Sequence, residues 1–182
     1  SASTYYIGFN MLDTVIGGHS ERSRFLRQAI SIAIDYDEYI SIFTNGRGIV
    51  AQSPLPPGIF GYQDGKNNFN KTIFELQSGK IIKKNIDQAK KLLTKAGYDN
   101  GIDRQTGKPL ILYFEATGAG ADTYAFLNWL RKQFKKINIQ LVTRVTDYNR
   151  FQEKMISGTG QIFQWGWNAD YPDPENFLFL LY

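Results

Sequence analysis

Cysteine is absent from the 182 residues, and histidine occurs once, at His19. The first absence excludes disulfides, thiolate zinc sites, iron–sulfur clusters and cysteine nucleophiles. The second excludes a multi-histidine metal centre and argues against a His-based triad. No stretch of about 18 consecutive apolar residues occurs, so no transmembrane helix is encoded. Lack of cysteine alone does not fix the redox compartment. What remains is enough chain for one ordinary domain or two small ones, with 42% hydrophobic residues to build a core and little catalytic equipment.

The net charge of +4 is unevenly spread. Residues 66–108 carry ten Lys/Arg against four Asp/Glu, with Lys66, Lys71, Lys80, Lys83, Lys84, Lys90, Lys91 and Lys95 in one stretch. This pattern reads as a solvated lysine-rich face around a helix and the loop before it. The competing reading is a nucleic-acid-binding βαβ module that uses the same stretch. Residues 165–182 contrast with it, holding Asp170, Asp173 and Glu175, no base and six aromatics. An acidic, aromatic patch favours a cationic ligand group over a phosphate.

Periodicity and caps give an alternating order of elements. Tyr5–Asn10 reads as a strand. Ser20 caps a helix over 21–34 with Leu26, Ala29, Ile30 and Ala33 on its buried stripe. Asp35 or Asp37 opens a second helix through Phe43, stopped at Asn45-Gly46. Residues 49–53 suggest a short strand, followed by the rigid proline segment 54–57. Residues 59–84 show no period and read as a long surface excursion within a single lobe over 1–182. Asn85 caps a helix closed by Gly97. From residue 109 the order is strand, helix, strand, helix, strand, ending in an irregular turn at 170–174 and a short apolar tail through Leu181-Tyr182. Such crossovers are right-handed βαβ units of a mainly parallel sheet, with binding groups in the loops beyond the strand ends. Gly118–Asp122 and Gly166–Asp173 occupy such positions.

Several motifs have simpler readings. Gly46-Arg-Gly48 spells part of a dinucleotide fingerprint, but it follows a helix and precedes a strand, the reverse of the phosphate-cradling order. Gly118-Ala-Gly120 follows a strand and opens a helix, yet lacks the third glycine and the later acid, so a tight turn is its reading. His19, between glycines and Ser20, is an exposed loop residue. Asp170, Asp173 and Glu175 crowd one turn, whereas carboxylate-based hydrolysis needs a second acid opposed across a cleft. Asp173 before Pro174 is a turn former and helix-capping residue. Trp165 and Trp167 alternate to one strand face. Trp167 offers a flat apolar wall, and Asp170 three residues on accepts hydrogen bonds from an ammonium group. Together they describe an α-amino recognition site.

Five stretches, in order, resemble the extracellular solute-binding proteins of the peptide ABC-transporter class (solute-binding family 5, the oligopeptide- and dipeptide-binding group). They are Tyr5–Asn10, Arg24–Asp35, Ser53–Pro57, Ile86–Tyr98 and Trp167–Pro174. The resemblance implies an α/β fold: the C-terminal lobe of a two-lobed, type II periplasmic-binding-protein-like architecture, its mixed, mainly parallel sheet flanked by helices. It implies a carrier with no catalytic residues, cofactor or metal. Asp170 falls where the family binds the peptide's N-terminal amine, with Trp167 beside it and Trp165, Asn168 and Ala169 completing the ligand loop.

The resemblance further implies partners: a peptide, a permease with its ATPases, and the N-terminal lobe of the same parent chain, with no nucleic acid. A lipoprotein or periplasmic location outside the cell membrane goes with it, the leader lying outside this stretch. Relatives of the same fold bind metal chelates, haem or sugars, so a non-peptide solute stays open. Some members dock the peptide carboxylate through arginines before the tryptophan. Residues 155–166 contain none.

Overall fold

The structure is a computed structural model that describes residues 2–63, 65 and 68–179. Lys66 of the basic stretch and Leu181-Tyr182 of the apolar tail lie outside the described residues. The chain divides into two compact units. One takes the described residues of Ser1–Ile7, Tyr36–Lys83 and Gln164–Tyr182; the other takes Gly8–Asp35 and Lys84–Phe163. Strands β1 (Ser3–Phe9) and β8 (Ile162–Asn168) contribute residues to both.

The second unit is built on β6 (Ile111–Thr117), which runs parallel to β7 (Gln140–Thr146) and to β8. The sheet order is β1-β8-β6-β7, the mainly parallel arrangement expected from the alternating elements. Its helices start and stop where their sequences dictate. Ser20 caps α1 (Glu21–Ala33) by accepting the Ser23 N–H. Asn85 and Gln88 form a reciprocal capping box at α3 (Ile86–Lys95), with bonds of 2.8 and 2.9 Å. Gly97 ends that helix at φ +85°. Asp147 caps α5 (Tyr148–Ser157), which closes on the left-handed Gly158. Helix α4 (Ala121–Lys135) follows a turn at Gly118 and Gly120, both with positive φ, so this glycine pair is a turn and offers no side-chain cap. Leu26, Ile30, Leu93, Leu112, Phe114, Leu127 and Phe134 are fully buried and supply the core. A two-residue antiparallel pair, β4 (Tyr98–Asp99) and β5 (Ile102–Asp103), links α3 to β6. His19 is exposed.

In the first unit, α2 (Tyr36–Phe43) begins directly after Asp35 and ends in Asn45 and Gly46, both at positive φ. One expectation fails here. Residues 49–53 form no strand: the Gln52 side chain bonds the Val50 carbonyl within the segment and the Asn70 N–H outside it, and the prolines that follow lack N–H donors. Within the excursion at 59–84 there is regular structure, because β2 (Phe74–Gln77) pairs antiparallel with β3 (Lys80–Lys83). The hairpin turns at Ser78-Gly79, both with φ positive (48° and 76°), as a two-residue primed turn requires. The apolar tail begins as a short helix, α6 (Glu175–Leu178).

Candidate functional site

The ligand loop predicted from the sequence lies wholly in the first unit, at the end of β8. There β1 runs antiparallel to β8. The Ala169 N–H donates to the Ala2 carbonyl at 2.9 Å, and the Ser3 hydroxyl donates to Asn168 Oδ1 at 2.6 Å. In this register Tyr5 lies opposite Gly166, and a Cβ at 166 would land on the Tyr5 ring. The glycine is therefore the seat of the Tyr5 side chain, an aromatic ring covering a strand glycine.

On the opposite face of the pair stand Thr4, Tyr6, Trp165 and Trp167. The Thr4 hydroxyl donates to the Pro54 carbonyl at 3.1 Å, which ties the proline segment to this edge. Burial pushes the Tyr6 phenol up, so it stays neutral across the physiological range. Trp165 and Trp167 are both half-buried.

Beyond the strand the chain enters the irregular turn 169–174, where Pro172 and Pro174 carry no N–H. The turn is held from within. Asp173 Oδ1 accepts the Glu175 N–H at 2.9 Å, so Asp173 acts as the turn former expected of it. Buried Asn176 reaches back across the turn: its Oδ1 accepts the Trp167 indole N–H at 2.8 Å and the Asp170 backbone N–H at 3.0 Å. Phe179 meets the Trp167 ring edge-on at 5.0 Å between centroids. Asp170 is exposed, and among the described residues its carboxylate has no hydrogen-bond or ion-pair partner.

Of the five expected site residues, Trp167 and Asp170 are thus brought onto one anchor. Asn168 is engaged by Ser3, and Ala169 contributes backbone to β1. Trp165 shares a strand face with Trp167 but is not tied to Asn176. The sequence reading missed Asn176, Ser3, Tyr5 and Phe179. Asn176 had a faint local signal in its place just after the Asp-Pro-Glu turn. Ser3 and Tyr5 had none, since their partners lie more than 160 residues away.

Chemically, the loop presents an exposed carboxylate and an indole anchored on the same Asn176 oxygen, with the Ala169 and Asp170 backbone donors already committed. Such a site accepts a cationic, hydrogen-bond-donating group. Of the basic stretch, Lys71, Lys80, Lys90, Lys91 and Lys95 are exposed, whereas Lys83 and Lys84 are half-buried.

The family model described as bacterial extracellular solute-binding proteins, family 5 (middle) matches residues 1–182. The chain belongs to this family. Members of family 5 bind solutes for transport and are not enzymes. Heme-binding protein A of Haemophilus influenzae is 29% identical over 180 residues, 95% of this chain and 28% of its own length. The oligopeptide-binding protein OppA of Bacillus subtilis is 24% identical over 154 residues, 84% of this chain and 26% of its own. Among solved structures, the ABC transporter-associated periplasmic binding protein DppA of Helicobacter pylori, in complex with the peptide STSA, superposes with a TM-score of 0.73 at 23% identity, over 98% of this chain and 29% of that one. The type II periplasmic-binding-protein-like fold of family 5 is thereby established for this chain. The chain spans under a third of the length of these relatives.

Gly166→Val is expected to lower the unfolding midpoint by about 2–4 °C. Overpacking costs about 1–3 kcal/mol, offset here by the exposed ring's freedom to swing away and by the loss of a strand glycine. In a Tyr5→Ala background the same substitution is expected to cost little. Additive losses in the double mutant, measured by thermal denaturation, would contradict the pairing.

Proposed function

We propose that the parent protein captures peptides for an ABC transporter and that this chain supplies the lobe that binds the peptide's free N-terminal amine. The observation that carries the reading is the exposed, unpaired Asp170 carboxylate on a residue whose backbone N–H shares the Asn176 Oδ1 acceptor with the Trp167 indole. An ammonium group there gains a charge-assisted hydrogen bond and lies within reach of the ring face. Trp165, Asn168 and Ala169 shape the loop around that contact. The permease and ATPase subunits of the transporter and an N-terminal lobe of the same parent chain are the remaining partners. The work is done outside the cell membrane, in the periplasm or on the surface as a lipoprotein, with no cofactor.

A haem-binding role is the second reading, favoured by the 29% identity to a relative named for haem. Titration calorimetry on the full-length parent separates the two. A short peptide with a free amine is expected to bind at least about tenfold more tightly than its N-acetylated twin, the lower bound set by a charged hydrogen bond of about 1.5 kcal/mol. Saturable hemin binding with no response to either peptide would overturn the peptide reading.

A further inference from the structure

We propose that Asn176 is the positioning residue of the amine site, setting where the Asp170 carboxylate and the Trp167 ring stand relative to each other. This rests on the reading of Asp170 as the amine acceptor. A side-chain amide oxygen has two lone pairs. In Asn176 both serve the site, one for the Trp167 indole N–H at 2.8 Å and one for the Asp170 N–H at 3.0 Å. Asn176 is only 3% exposed, so no mobile water easily replaces it.

The helix that carries it has four residues, far too few to persist on its own. It is held by Phe177, 1% exposed, and by the Asn176 N–H bonding the Asp173 carbonyl at 3.1 Å. Asn176 and Phe179, three residues apart, share a helix face, and both touch Trp167, one at its N–H and the other ring to ring with the planes near perpendicular. The short helix thus works as a bracket that fixes the indole from two sides. It also holds the one backbone N–H of Asp170 in a turn where two prolines contribute no donors. The Asp170 side chain itself stays exposed and unpaired among the described residues, so its placement comes through its backbone.

The test uses the full-length parent and a pair of peptides, one with a free amine and one N-acetylated. Asn176→Leu removes the acceptor, and Asn176→Asp keeps an oxygen for both N–H groups. The leucine variant is expected to lose at least tenfold in affinity for the free-amine peptide and less than twofold for the acetylated one. The aspartate variant is expected to keep a free-amine preference at least as large as that of wild type, since its added charge attracts the ammonium group, at a cost in stability from burying that charge. In ¹⁵N spectra the Trp167 indole N–H resonance is expected to move upfield in the leucine variant and not in the aspartate variant. A folded leucine variant with undiminished preference for the free amine, or equal losses for both peptides, would overturn the inference. If the leucine variant does not fold, Asn176→Ser decides, because a hydroxyl is too short to reach both donors; retained preference there would overturn the inference equally. Asp170→Ala, measured in parallel, separates the two levels. Should it leave the preference intact, the amine-site reading itself falls. Should it abolish the preference while Asn176→Leu does not, only the positioning role falls.

Discussion

Replacing Asp170 with alanine in the full-length parent is expected to weaken binding of free-amine peptides by about 10- to 100-fold, and to change binding of N-acetylated peptides by less than about threefold. The magnitude follows from where the carboxylate acts. Left in water, an ion pair of an exposed aspartate contributes about 0–1 kcal/mol, a factor of five at most. Closed away from water, a charge-assisted hydrogen bond is worth about 1.5–3 kcal/mol. Asp170 is exposed in this chain, so the larger figure requires a closed complex that excludes solvent. A loss below about fivefold would mean that the amine is bound wet. Equal losses for both peptides, read by calorimetry, would remove Asp170 from amine recognition.

Lys154→Met is expected to destabilise the second unit by about 3 kcal/mol, lowering its unfolding midpoint by about 6–12 °C. Glu115 projects from the central strand β6 with only 2% of its side chain exposed. Lys154 reaches its Oε2 at 2.5 Å, while Arg144 stands 3.5 Å from Oε1 and also lies over the Tyr113 ring. Removing the lysine leaves a buried carboxylate with only the more distant, half-exposed guanidinium, and desolvation of a charge in that state outweighs what Arg144 returns. Adding Glu115→Gln to Lys154→Met is expected to recover much of the loss, since the uncompensated charge goes with it. By contrast, the exposed pair Arg24–Glu21, at 55% and 79% exposure, is expected to be silent. Circular dichroism melts of the four proteins check the order. A lysine variant within about 1 kcal/mol of wild type would show that the ion pair adds little to stability.

The elements legible from sequence are those whose instructions are local. The Ser20 cap, the Asn85 cap and the left-handed Gly97 lie within a few residues of what they control. The apolar stripe of Leu26, Ala29, Ile30 and Ala33 needed no knowledge of its partners. The β2–β3 hairpin escaped because its strands are four residues each and Ser-Gly is a weaker turn signal than Asn-Gly. The expected strand at 49–53 failed because strand formation depends on a neighbour, and the Val50 carbonyl is taken by the Gln52 side chain instead. At the proposed site, chemistry and resemblance singled out Asp170 and Trp167. They did not single out Asn176, whose bond to Trp167 arises only after an irregular turn folds it back across nine residues.

The three-part make-up of the first unit also bears on how the chain comes to be folded. Its residues come from the beginning, the middle and the end of the sequence, and Ser3 finds Asn168 at a separation of 165 residues. The second unit draws on two intervening segments, and its α1–α3 and β6–β7 contacts involve only residues that precede the last segment. During synthesis from the N-terminus, the opening strand must therefore wait unpaired until β8 emerges. The β1–β8 pairing closes a loop of more than 150 residues, a costlier closure than any within the second unit's own segments. A chain halted before residue 164 lacks both the ligand loop and the partner of its own first strand, leaving an open strand edge of the kind that invites aggregation.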